Sequence, residues 1–137
     1  MKAAPSGYRE IEHTADWELE VWGPDMAALL EQAARGMYRL MGVELAVGER
    51  TERCLVIEAA DEEALLVDFL GELLYLAESE GLAFDRLALE VDGDRASARL
   101  EGAVISSQTK EVKAVTFHRL AIMETDSGWQ TRIVFDV

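Results

Sequence analysis

The sequence predicts an α+β fold: mostly antiparallel β-sheet with two main helices, one of them central and buried. Three observations predict it. Two segments repeat apolar residues at steps of three and four, several others alternate with period two, and the alternating runs in the second half are joined by short turn signals. At 137 residues the chain is long enough for one domain, 1–137, with its own core.

Gly7 to Gly23 reads as an approach followed by a strand, in which Trp17, Leu19 and Val21 alternate with Glu18, Glu20 and Trp22. Gly23-Pro24-Asp25 ends it, and Asp25 is placed to cap the helix that follows. Met26, Leu29, Leu30, Ala33, Met37, Leu40 and Met41 form that helix's core stripe, and Gly42 stops it. A second strand spans Arg50 to Ala59, with Leu55 and Ile57 opposed to Cys54, Val56 and Glu58. Asp61-Glu62-Glu63 then puts acids at the positive end of a second helix, Ala64 to Ser79, which is apolar almost all round and is expected to be covered on more than one side. Asp68 and Glu72 give it a single acidic stripe, read as a solvated edge.

Beyond Gly81 only strands are predicted. Phe84 to Val91 and Arg95 to Leu100 flank the hairpin signal Asp92-Gly93-Asp94. A loop through Ser106, Ser107, Gln108 and Thr109 leads to the longest alternating run, Val112 to Ile122. Asp126-Ser127-Gly128 turns the chain into a last strand, Trp129 to Val137, with Thr131, Ile133, Phe135 and Val137 on one face. There is no internal repeat.

Carboxylates outnumber Lys plus Arg by 27 to 13, a net charge of −14. That field repels phosphate backbones, so a broad nucleic-acid surface is not expected; it suits solubility, a cation or a basic partner. The single cysteine, Cys54, is expected to be a buried, inert thiol. The N-terminus has no apolar signal core and no run approaches a membrane span, so a cytoplasmic protein is expected.

No phosphate loop, Gly-x-Ser-x-Gly elbow, cysteine pair or His-Glu-x-x-His is present, which removes the commonest nucleotide, hydrolase and zinc classes. What remains is oxygen chemistry. Glu12-His13-Thr14-Ala15-Asp16 gathers a histidine, two carboxylates and a hydroxyl, and Phe135-Asp136-Val137 closes the chain with a carboxylate side chain. Asp16, Asp136 and the carboxylate of Val137 would make a hard site of the kind calcium or magnesium prefers. His13 and His118 would then orient the carboxylates or act as weak ligands. The alternatives stay open: ordinary strand histidines, a turn-capping Asp16, and a plain chain end at Asp136.

Taken together, Glu12-His13-Thr14-Ala15-Asp16 with Gly23, the Ala33-Ala34-x-Gly36-Met37 helix, Leu73-Leu74-Tyr75-Leu76, Val112-Lys113-Ala114-Val115-Thr116-Phe117-His118 and Phe135-Asp136-Val137 resemble the archease family, in order, from Tyr8 to Val137. Archeases are accessory proteins of the RtcB-type RNA ligase, which uses GTP and Mn²⁺ to join RNA ends in tRNA splicing and RNA repair. The resemblance implies a non-enzymatic helper that promotes guanylylation of the ligase and its multiple turnover. It also implies a divalent cation, usually calcium, held by Asp16, Asp136 and Val137, with Lys113 and His118 as candidates for the functional surface. Trp17 stands where a smaller aliphatic is common, and Phe117 where tyrosine is common. Two other classes stand beside this one: a general chaperone-like modulator of RNA-processing enzymes, and a small metal-dependent hydrolase built on His13, Asp16 and His118.

Overall fold

The computed structural model describes residues 5–11 and 17–137. Along them run β1 (Gly7–Ile11), β2 (Trp17–Gly23), α1 (Met26–Met41), β3 (Glu44–Leu45), β4 (Thr51–Glu58), α2 (Glu62–Glu80), β5 (Leu82–Asp92), β6 (Arg95–Ser107), β7 (Ala114–Val115), β8 (Met123–Thr125) and β9 (Gly128–Asp136). The strands form two sheets. In the first the order is β1-β2-β9-β7, with β8 also on β9; in the second β6 pairs with β3, β4 and β5. All of these pairings are antiparallel.

Local signals set the helix ends. The Asp25 carboxylate accepts from Ala28 N at 2.8 Å and that of Asp61 from Ala64 N at 2.8 Å, so each helix has a side-chain cap for an otherwise orphaned donor. Gly42 and Gly81 end the helices at φ 64° and 66°, in the left-handed region that favours glycine. Gly93 at φ 62° does the same for the two-residue turn between β5 and β6.

Each helix touches both sheets: α1 meets β1, β2 and β9 on one side and β5 on the other, while α2 meets β7 and then β4, β5 and β6. The core lies where these layers converge. Leu29, Leu30 and Met37 of α1, Phe69, Leu70 and Leu73 of α2, Leu19 and Phe135 of the first sheet, and Leu100 of the second are all essentially removed from solvent. Each such side chain contributes about 1.5–3 kcal/mol. Coverage of α2 on more than one side agrees with its apolar sequence, while Asp68, Glu72 and Tyr75 remain exposed. Centrality is shared, because α1 is buried at ten of its sixteen positions.

Four expectations need correction. Gly7–Ile11 is a strand in its own right, paired with β2. The strand expected over Arg95 to Leu100 continues to Ser107 because its later half finds partners in β5 and β3. Cys54 is exposed: Leu55 and Ile57 take the inner face of β4, which puts Cys54 and Val56 outside. Finally, the run Val112 to Ile122 is not one strand. Only Ala114–Val115 pairs with β9, and the chain then leaves the edge in a turn closed by Leu120 N donating to Phe117 O at 3.0 Å, with Arg119 at φ 56°. Its alternation is real but has another cause: Val112 is buried, and Leu120 and Ile122 pack against the core from an irregular segment.

Candidate functional site

The end of β9 sits between two other chain segments. Across one edge Trp17 pairs with Phe135, so the residue that follows the Glu12–Asp16 motif is opposite the residue that precedes Asp136. Across the other, Ala114 pairs with Asp136, and Lys113 N donates to Asp136 O at 2.8 Å. Phe135 is fully buried and anchors the strand. Period-two alternation then turns the Asp136 side chain to the opposite, exposed face.

The segment preceding Lys113 is fixed by the end of α1. Met41 O accepts from Thr109 N at 3.0 Å and from Lys110 N at 3.1 Å, which satisfies a carbonyl left over at the helix C-terminus. Val112 inserts into the core. Between these anchors Lys110 Nζ lies 3.1 Å from the centroid of the Trp17 ring, a cation–π contact. One short segment therefore braces both the start of β2 and the main chain of Asp136.

Of the residues singled out from sequence, the structure brings Asp136, Val137 and Lys113 together. His118 stands on the exposed turn beyond β7, its N–H donating to Thr116 Oγ1 at 3.2 Å; Thr116 N in turn donates to Val134 O at 3.0 Å. His13 and Asp16 lie outside the described residues. Among the described residues no three His, Cys, Asp or Glu side chains come together, so a cation here needs further ligands besides Asp136 and Val137. The oxygen chemistry of Asp136 fits a hard divalent cation.

Sequence reasoning missed two features. The Lys110–Trp17 contact joins distant parts of the chain, and only the aromatic residue directly after the motif hinted at it. Glu18 alternates onto the polar face of β2, opposite Val134, yet it is 7% exposed, the one buried carboxylate among the described residues.

The model of the archease protein family matches residues 8–137. This chain belongs to the archease family. It is 36% identical over 135 residues to Protein archease of Archaeoglobus fulgidus, covering 95% of this chain and 98% of that one. With Protein archease of Methanosarcina mazei it shares 31% identity over 146 residues, covering both chains completely. Two solved structures share its fold. The crystal structure described as an archease and possible chaperone from Thermotoga maritima superposes with a TM-score of 0.72 at 28% identity, over 94% of this chain and 96% of that one. The solution structure of Methanobacterium thermoautotrophicum protein 1598 gives 0.68 at 26% identity, over 96% and 99%. The archease fold is thus the two-helix, two-sheet α+β arrangement described above.

Proposed function

We propose that this archease-family chain is a non-enzymatic cytoplasmic cofactor of an RtcB-type RNA ligase in tRNA splicing or RNA repair. It promotes guanylylation of the ligase and its multiple turnover. A divalent cation, calcium by preference, is held by Asp16, Asp136 and Val137, with Lys113, His118 and His13 at the working surface. The observation that supports this most is the pairing of Trp17 with Phe135, the residue next to the His13–Asp16 motif in sequence with the residue next to Asp136. Bound there, the cation supplies positive charge and fixes the carboxylates; Lys113 steadies Asp136 through the main chain. Among the described residues no helix is long and apolar enough to cross a membrane.

The test is covalent GMP loading of the ligase with GTP and Mn²⁺, with and without this chain. Faster loading is expected, as is loss of the effect in Asp16→Ala and Asp136→Ala. No acceleration at any ratio overturns the reading, and phosphoester turnover by the chain alone would argue for an enzyme. A chaperone-like modulator of RNA-processing enzymes is the second reading, favoured by the description of the Thermotoga maritima relative as a possible chaperone. Co-purification separates the two, because the first requires one dominant ligase partner and the second a spread of clients.

A further inference from the structure

We infer that the cleft between the 116–122 turn and the outer face of the first sheet is a binding site for a phosphate monoester, held by Arg119 and Arg132. The inference does not rest on the proposed cation site or on the ligase. The cleft has a volume of about 380 Å³ and is lined by Arg119, Ala121 and Met123 from one side and by Glu20, Gln130 and Arg132 from the sheet. That size matches a small ligand.

Its charge balance is unusual for this chain. Both Glu20 carboxylate oxygens accept from Arg9 at 3.0 Å, so that carboxylate is already neutralised. Arg132 forms a second, longer ion pair with the same carboxylate at 3.6 Å, beyond hydrogen-bonding distance, so one carboxylate is shared by two guanidinium groups. Arg119 makes no ion pair or side-chain hydrogen bond among the described residues. Arg119 without a carboxylate and Arg132 sharing Glu20 with Arg9 therefore leave this cleft with an excess of positive charge in a protein of net charge −14. Elsewhere Arg35, Arg50, Arg53, Arg86 and Arg95 are each paired with a carboxylate. Among the described residues Arg39, exposed in the last turn of α1, and Arg99 have no ion pair either, and the cleft beside Arg99 also contains Glu31 and Glu90.

The backbone points the same way. Arg119 occupies the left-handed region at φ 56°, where glycine would relieve strain. The turn is pinned there: Thr131 Oγ1 donates to Ala121 O at 2.9 Å and Ile122 N to Glu63 Oε1 at 3.1 Å. Arg119 is thus presented by a fixed main chain. Two guanidinium forks from different elements, with the Gln130 amide, offer donors in more directions than a planar carboxylate accepts, and a tetrahedral dianion matches both their charge and their spread. Met123 and Ala121 supply an apolar wall for the ester's carbon skeleton.

The experiment is an NMR titration of the full chain, following the arginine side-chain resonances. Its probes are inorganic phosphate, a nucleoside monophosphate, an oligonucleotide with and without a terminal phosphate, and acetate. Saturable shifts at Arg119 and Arg132 are expected with the phosphates, and affinity should fall about tenfold in R119A and in R132A but not in R99A. Tighter binding of the monophosphate than of the oligonucleotide assigns the site to a free nucleotide, and the reverse order, lost on removing the terminal phosphate, assigns it to a strand end. Absence of saturation, equal binding of acetate, or unchanged affinity in R119A and R132A overturns the inference.

Discussion

The two sheets are built in opposite ways. In the second sheet β5 and β6 are sequence neighbours joined by a two-residue turn, and β4 runs along β6 in unbroken register from Thr51 to Glu58. In the first sheet β2 and β9 come from opposite ends of the sequence, and the far edge of β9 is shared by β7, an irregular turn and β8. Every described candidate for function, Lys113, His118, Asp136 and Val137, lies in that second construction. A continuous ladder satisfies its own donors and acceptors, so it makes a scaffold. An interrupted edge releases main-chain groups and side chains for other partners.

Breaking the scaffold should have the largest effect. A Cβ added at Gly102 would lie 1.9 Å from Ala83 O and 2.7 Å from Phe84 Cα, both main-chain atoms, beside the register shift between Phe84 and Arg86. Gly102→Ala is expected to cost about 4 kcal/mol or more in denaturant unfolding. The first sheet should respond inversely. Asp136→Ala, at an exposed position, should change stability by no more than about 0.5 kcal/mol, while calorimetry shows cation affinity falling at least about tenfold. Residues appended after Val137 should weaken the cation in the same way without unfolding the protein; unchanged affinity would remove the terminal carboxylate from the ligand set.

Smaller changes sharpen the contrast. Lys110→Met keeps the stem but removes the cation from the Trp17 ring, so a loss of about 0.5–2 kcal/mol is expected in thermal unfolding. Weaker cation binding should accompany it. The smallest effect should come from the seam between the sheets. Burial, then the neighbouring Glu63, Glu124 and Asp61, raise the pKa of Glu62 above the usual carboxylate value. The folded state therefore holds that proton more tightly than the unfolded state, and stability declines as pH rises from the unfolded pKa through the folded one. Glu62→Gln should stabilise at neutral pH by roughly a few tenths of a kcal/mol after solvent screening. The gain should vanish below the ordinary carboxylate range in unfolding curves measured against pH.

Legibility followed the same division. Caps at Asp25 and Asp61, the stops at Gly42 and Gly81 and the Gly93 turn are local chemistry, and each was readable from a few residues. Alternation in β4 was readable too, but not which face turns inward, since Cys54 and Val56 are as apolar as a core row requires. Alternation misled over Val112 to Ile122, where period two records burial of an irregular segment. At the site, Asp136 and Lys113 were legible through motifs. The Lys110–Trp17 contact and the burial of Glu18 were not, because both depend on long-range register. His13 and Asp16, the other half of the reading, lie outside the described residues.

The place of β9 in the middle of its sheet has a consequence for biosynthesis. While the chain is being translated, the second sheet and both helices are complete before β9 emerges, and β2 waits with one edge unpaired. Sheet closure waits for β9, the strand that carries Asp136. A polypeptide cut short within that strand loses the neighbour of both β2 and β7 together with Asp136, so an incompletely synthesised copy lacks the closed sheet and the candidate ligand at once.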